Sequence, residues 1–143
     1  MTTPTVPIIQ QPQQPNRSVA MWVYLTDIIV SIIALCLPFL LLLLWVPPLI
    51  FRSAYPDDPF VQNHAANVLN NGLTALIRFA VAGIGILLCL TGYGAILGIP
   101  LILAALASGI GGWVCAILGA VKANASEKFV FPVWVAFRFV HTK

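Results

Sequence analysis

The sequence predicts an all-α integral membrane protein, built as a helical bundle of three to four hydrophobic segments. Of its 143 residues, 60% are hydrophobic and only 8% are charged, and the mean hydropathy is +0.98. Soluble domains carry about 25% charged residues because their surfaces face water. Three long apolar runs are each long enough to cross about 30 Å of hydrocarbon. We therefore expect a lipid bilayer around most of this surface.

The first hydrophobic run follows a tail that is rich in Pro, Gln and Thr. The tail, residues 1–18, cannot bury enough apolar surface to fold, so we predict that it is disordered and cytoplasmic. The run itself covers 19–51, with Asp27 as its one charged residue. Pro38 lies near its middle, where the missing backbone donor must kink or break a helix. The run is therefore either one long kinked helix or a hairpin of two helices joined near 36–39.

A polar turn over 52–59 separates the first run from the second. Asp58 suits the N-cap of a helix, and Pro59 suits its first turn. The second run extends over 60–90, and it is polar in its first half and apolar in its second. We expect a helix whose two halves have different surroundings.

The third run, 95–123, follows an uncharged turn at 91–94 and is again long enough to span the membrane. The predicted transmembrane bundle thus covers 19–123. After it comes a basic segment, 124–143, with a stretch rich in aromatic residues. Tryptophan beside arginine is typical of a membrane interface, so we predict an interfacial C-terminal segment.

Basic residues indicate the orientation of the bundle. If the first run is a hairpin, six basic residues lie on one side of the membrane: Arg17, Arg52, Lys122, Lys128, Arg138 and Lys143. If it is a single span, Arg17 lies opposite the other five. The positive-inside rule favours the hairpin, with both termini cytoplasmic in the inner (plasma) membrane.

A polar stripe marks the start of the second run. On a helix it is about 80° wide, and it consists of His64, Asn67, Asn71, Thr74 and Arg78, with Asn70 beside it. Such a stripe is costly in lipid and must face protein, water or headgroups. It either packs against the first helix through amide hydrogen bonds, or it lines a polar conduit for a solute or a chain segment.

Two charges lie within the hydrophobic runs, Asp27 in the first and Arg78 in the second. Because isolated charges are expensive inside a bilayer, we predict that they form an intramembrane ion pair. Replacement of Arg78 by Leu should then rescue the stability that Asp27→Ala loses.

The third run carries a ridge of small residues. It recurs at every fourth position and consists of Ala104, Ser108, Gly112, Ala116 and Ala120. Small residues let helix backbones approach closely, and dispersion then holds them together. The ridge is either a packing face within the bundle or a surface for homo-oligomerisation.

The sequence contains no pattern that indicates catalysis or a cofactor. His64 has only Asp57 and Asp58 as nearby ligand candidates, so we predict no metal site. No nucleophile–base or paired-carboxylate spacing suggests catalysis, and no glycine-rich phosphate loop follows a strand. A clustered basic face with stacking aromatics is missing too, and we expect no binding of nucleic acid. The protein is therefore predicted not to be an enzyme.

Three segments resemble a widespread family of small bacterial membrane proteins, a domain of unknown function. They are Asn16–Met21, Pro59–Ala65 with Leu69 and Asn70, and Ala120–Asn124 with Glu127, Phe129, Phe131 and Pro132. The family is distantly similar to the membrane subunit of the chloroplast inner-envelope import translocon, and the resemblance implies three or four membrane segments. The chain departs from it at Asn67, where Gln is usual, at Ser126, where Gly is usual, and at Arg78.

These patterns predict a membrane protein without catalytic activity, an accessory or scaffold subunit of a larger membrane complex. Its expected partners are the bilayer and either another membrane protein or a second copy of the chain. The alternative is a small channel, transporter or translocation component that uses the polar stripe. A third interpretation is a sensor of the membrane surface that acts through the basic C-terminal segment.

Overall fold

The structure, a computed structural model, describes residues 15–141 and consists there of helices and irregular segments. It has four α-helices, α1 (Arg17–Cys36), α2 (Val46–Ala54), α3 (Pro59–Leu90) and α4 (Ala95–Asn124), and one 3-10 helix (Pro38–Leu43). The predicted all-helical bundle is confirmed. The first 14 residues of the predicted disordered tail lie outside the described part, and α1 already begins at Arg17.

The first hydrophobic run is a hairpin. α1 ends at Cys36, and the chain returns through the 3-10 helix and α2. Near the end of the 3-10 helix, the Leu44 carbonyl lies so close to Gly72 that a Cβ there would be 3.0 Å from its oxygen. Further along, the Gln62 side chain donates to the carbonyl of Arg52 at 2.6 Å. Leu44 thus lies opposite Gly72, and Arg52 lies opposite Gln62, which comes earlier in α3. α2 therefore runs antiparallel to α3.

α3 and α4 form a second, longer hairpin. The Asp58 carboxylate accepts from the backbone N–H of Phe60 at 2.9 Å and so caps α3 as predicted. The turn between the helices holds Gly92 at φ +74°, a conformation that favours glycine. Beyond the turn the helix backbones touch, since a Cβ on Gly85 would lie 2.8 Å from the Gly98 carbonyl oxygen.

The molecule has two regions with different packing. The near half comprises α1, α2, residues 59–74 of α3, residues 112–124 of α4 and the C-terminal segment 125–141. It contains most of the buried core, including Tyr24, Val61, Val68, Ala116 and Val135. The far hairpin comprises residues 75–111, and its buried positions are two glycines, Gly85 and Gly98.

Among the described residues, three helices are long and apolar enough to cross a membrane, namely α1, α3 and α4. The chain is a multi-pass membrane protein. The near end of the bundle carries Arg17 at the start of α1, Arg52 at the end of α2 and Lys122 at the end of α4. The hairpin thus brings these basic residues to one end, as its prediction required, whereas Lys143 lies outside the described part.

Candidate functional site

The polar stripe of α3 faces the interior of the near half. The side chains of His64, Asn70, Asn71 and Thr74 are buried, and Asn67 is half-buried. α1 covers one flank of the stripe, and the C-terminal segment, which follows α4 without helical structure, covers the other. The stripe is therefore enclosed by protein on both sides.

Asn70 binds the backbone of the C-terminal segment through both ends of its amide. Its Nδ2 donates to the Val140 carbonyl at 3.0 Å. Its Oδ1 accepts from the N–H of Phe139 at 3.0 Å and from the N–H of Val140 at 2.8 Å. Non-helical backbone within a membrane protein needs such partners, since it lacks the regular hydrogen bonds of a helix. Asn70 thus substitutes for the missing intrahelical hydrogen bonds.

Thr74 and Asn67 extend the same attachment. The Thr74 hydroxyl accepts from the Phe137 N–H at 2.9 Å and donates to the Asn70 carbonyl at 2.7 Å. Asn67 donates to the Phe129 carbonyl at 2.5 Å. We call Asn67, Asn70 and Thr74 the clasp, because together they hold the C-terminal segment on α3. The segment is thus docked against the bundle, with Phe131, Val135 and Ala136 buried. Its location at the membrane interface stays a prediction.

His64 pairs with α1. Its Nδ1 lies 2.9 Å from the Tyr24 hydroxyl, and both side chains are fully buried. Phe60 packs edge-on against the His64 ring, with ring centroids 4.5 Å apart. Gly119 of α4 lies against the Tyr24 ring, where a Cβ would overlap it. His64 is therefore a buried link between α1 and α3.

Asp27 and Arg78 are connected through Asn71. The Asn71 Nδ2 donates to the Asp27 Oδ2 at 3.2 Å, and its Oδ1 accepts from the Arg78 Nη2 at 2.8 Å. The direct ion pair that the sequence suggested is not formed, since the only salt bridge among residues 15–141 joins Lys122 to Glu127. The carboxamide intervenes because it has a donor for the carboxylate and an acceptor for the guanidinium.

Arg78 also connects α3 to the ridge of α4. Its Nη1 donates to the Ser108 carbonyl at 2.7 Å. Gly112 leaves room for the guanidinium, because a Cβ at this position would lie 2.7 Å from Nη1. Ridge residues Gly112, Ala116 and Ala120 are buried in the near half, Ser108 is half-buried, and Ala104 is exposed. The ridge is thus a packing face within the bundle over its second half.

Two residues of this arrangement were not among the predicted site residues, Tyr24 and Gly119. A signal for Tyr24 was present: it lies three residues before Asp27, and this spacing places both side chains on one face of a helix. Gly119 has no comparable signal, because one glycine in an apolar helix does not indicate what it contacts.

The arrangement is a set of hydrogen bonds between helices and an irregular segment. Among residues 15–141, no three or more His, Cys, Asp or Glu side chains converge as a metal site requires. The buried His64 Nε2 and Asp27 Oδ1 have no hydrogen-bond partner there. This arrangement fixes the C-terminal segment on α3 and joins α1, α3 and α4 to one another.

Comparison with known proteins gives one match. Residues 15–140, nearly the whole described part, match the model of the magnetosome magnetite crystal formation protein family. No curated protein and no solved structure matches the chain. The match supports the resemblance to a family of small membrane proteins, whereas the similarity to the chloroplast translocon subunit receives no support.

Proposed function

Since the chain belongs to the magnetosome magnetite crystal formation protein family, we propose that it acts as an accessory or scaffold subunit in a membrane complex. In this role it binds another membrane protein or a second copy of itself, and it catalyses no reaction. In magnetite crystal formation, the process for which the family is named, it would organise the membrane around the forming crystal.

The observation that carries this proposal is the use of the polar stripe inside the molecule. A conduit needs polar groups that remain available to a passing solute. Here the clasp binds the C-terminal backbone, His64 lies next to Tyr24, and Asn71 lies between Asp27 and Arg78. This supports a scaffold over the channel, transporter or translocation component that is the alternative.

The outer face of the far hairpin supports binding of another helix. Ala104 and Ala107 of α4 are exposed there among larger exposed side chains such as Leu103 and Leu106. Small residues on a membrane helix permit close approach by a neighbouring helix, where dispersion supplies the attraction. The exposed end of the ridge is therefore the contact face that we assign to the partner.

Orientation is part of the same proposal. With the near end in the cytoplasm, its basic residues satisfy the positive-inside rule and both termini are cytoplasmic. Labelling of intact cells should then modify Tyr93→Cys, which replaces a fully exposed residue of the far turn, from the outside. Ser18→Cys, exposed at the start of α1, should react only after permeabilisation. The reverse labelling pattern contradicts the orientation.

The scaffold role is tested by purification in a mild detergent, with the masses of the intact complexes measured. We expect a second chain in fixed stoichiometry. Ala104→Phe should weaken its binding about tenfold, the factor for about 1.4 kcal/mol of overpacking. Ile84→Phe is the control, because Ile84 is a large exposed side chain of α3 that lies outside the ridge. A monomer that conducts solute in pure lipid vesicles contradicts the proposal and supports the conduit.

A further inference from the structure

A crevice of about 350 Å³ lies where the near half meets the far hairpin. α1, the 3-10 helix, α3 and α4 form its walls, which are apolar at Leu41, Phe79, Leu106 and Trp113. Ser31, Asn71 and Arg78 contribute the polar part of the lining. The volume lies within the range of about 300–1,000 Å³ that is usual for ligand sites.

The crevice is polar at one end and apolar at the other. Arg78 extends toward the near end, because its Nη2 donates to both the carbonyl and the side-chain oxygen of Asn71, seven residues earlier. Arg78 is the one charged residue within 72–90, the apolar part of α3. Because its side chain extends toward the near end, the guanidinium lies near the level where this apolar part begins. Phe79, Ala82 and Leu106 line the part beyond it, toward the far turn. This is the polarity of a lipid that enters with its headgroup at the near end.

The guanidinium has binding capacity that the protein does not use. Arginine has five N–H donors, and Arg78 makes three hydrogen bonds, to Ser108 and Asn71. Among residues 15–141, its other N–H groups have no acceptor, and Asp27 contacts it only through Asn71. A guanidinium binds phosphate well, and a basic side chain near the membrane surface favours anionic lipid.

The geometry points to an anionic phospholipid as the occupant of this crevice, with its phosphate at Arg78 and an acyl chain along the apolar wall. A helix, about 10–12 Å wide with its side chains, is too wide for a crevice of this volume. An apolar side chain from a second copy would fill the wall but leave the Arg78 donors without an acceptor. A phosphate supplies both the acceptor and the negative charge. The inference does not depend on the scaffold role.

Two glycines provide a matched pair of variants for the apolar wall. Gly109 lines the crevice, whereas Gly83 is not part of its lining. A Cβ on either glycine would meet no atom within 4 Å, so a larger side chain fits at both positions. Gly109→Leu therefore fills the crevice, and Gly83→Leu adds the same side chain to the far hairpin elsewhere.

The test is native mass spectrometry of the full chain in detergent with phosphatidylglycerol or phosphatidylcholine of identical acyl chains. Wild type should retain phosphatidylglycerol in preference. Arg78→Gln should reduce this preference about fivefold, the factor for about 1 kcal/mol per basic side chain. Arg17→Gln, which removes an exposed charge at the near end, should leave the preference unchanged. Gly109→Leu should lower retention of both lipids, whereas Gly83→Leu should not.

Two results overturn the inference. One is an equal lipid preference in Arg78→Gln and wild type, combined with equal retention in Gly109→Leu and Gly83→Leu. The other is a lipid-free dimer that Gly109→Leu abolishes, since the occupant is then a second copy. If Arg78→Gln fails to fold, the two glycine variants still decide whether a lipid chain occupies the crevice.

Discussion

The near half and the far hairpin are held together by different forces, although the same two helices run through both. In the near half, buried amides, hydroxyls and a histidine join the helices to one another and to an irregular segment. In the far hairpin, α3 and α4 meet at Gly85 and Gly98, where backbone lies against backbone. Lipid surrounds the rest of the hairpin, so burial of apolar surface gives no preference for protein over lipid there.

The difference explains how one chain tolerates so many polar groups within its apolar runs. Most of these polar side chains lie where another element supplies a hydrogen-bond partner, although His64 Nε2 and Asp27 Oδ1 have none. The far hairpin, which lacks such elements, is almost free of polar side chains. Substitutions in the near half should therefore act strongly and specifically, and most of those in the far hairpin should act weakly. The predictions below test this contrast by pairing similar changes in different surroundings.

The largest effect is expected from Gly112→Leu. A side chain at this position displaces the Arg78 guanidinium and the Asn71 amide, whose atoms lie 2.7 and 3.0 Å from a Cβ there. Overpacking and a displaced buried charge should together lower the free energy of unfolding by more than about 3 kcal/mol. Gly109→Leu, nearly one turn earlier, should cost less than about 1 kcal/mol because its Cβ enters open space. Unfolding by dodecyl sulphate in mixed micelles measures both; equal losses contradict the contrast.

The clasp should give the next largest effect. Asn70→Leu removes three hydrogen bonds, which leaves the Val140 N–H without its acceptor and the Phe139 N–H with only the Phe137 carbonyl at 3.2 Å. The expected loss is about 2–3 kcal/mol in the same unfolding assay. Asn63→Leu is the control, since Asn63 is half-buried and accepts one weak hydrogen bond at 3.3 Å from Asn67. A loss as large in the control indicates that the clasp contributes nothing specific.

The far hairpin should have one sensitive point. Gly85→Ala places a methyl group 2.8 Å from the Gly98 carbonyl and should separate the helices, at a cost of about 1–2 kcal/mol. Gly83→Ala, two residues earlier, meets no atom within 4 Å and should stabilise the helix by about 0.5 kcal/mol. Thermal unfolding in detergent compares the two variants. Equal behaviour of the pair shows that the helices do not touch at Gly85.

The smallest effect is the coupling between Asp27 and Arg78. Because Asn71 separates them, the double variant Asp27→Ala, Arg78→Leu should be more stable than the sum of the single effects by only about 0.6 kcal/mol. The rescue expected for a direct pair is thus small. Repetition of the cycle in Asn71→Leu should reduce the coupling further. If Asp27→Ala and Arg78→Leu are additive in the wild-type background, Asn71 does not couple the two charges.

Local patterns predicted the elements of the fold well. Asp58 and Pro59 located the start of α3, and the uncharged turn at 91–94 separated two spans that length and hydropathy had already identified. For the first run, the break at Pro38 did not distinguish one kinked helix from a hairpin of two helices. Pro38 indicates only that a helix ends, whereas the direction of the return depends on the contact between Leu44 and Gly72. Two residues so far apart leave no joint signal in one sequence.

The site was predicted in its position but not in its partners. Periodicity located the stripe on α3, because polar side chains on an apolar helix are conspicuous. The acceptors and donors that satisfy Asn70 and Thr74 are backbone groups of the C-terminal segment, 63 to 70 residues later. Backbone groups are the same at every residue, so no side-chain pattern identifies them. Asp27 and Arg78 were paired on charge alone, which overlooks a carboxamide that binds both.

Amide hydrogen exchange of the full chain in lipid nanodiscs tests most directly whether the stripe is a structural clasp. The N–H groups of Phe137, Phe139 and Val140 should exchange at least about a hundredfold more slowly than that of exposed Lys128. Asn70→Leu should remove the protection at Phe139 and Val140. Exchange at all three positions as fast as at Lys128 would contradict the docked segment and return the stripe to the role of a conduit.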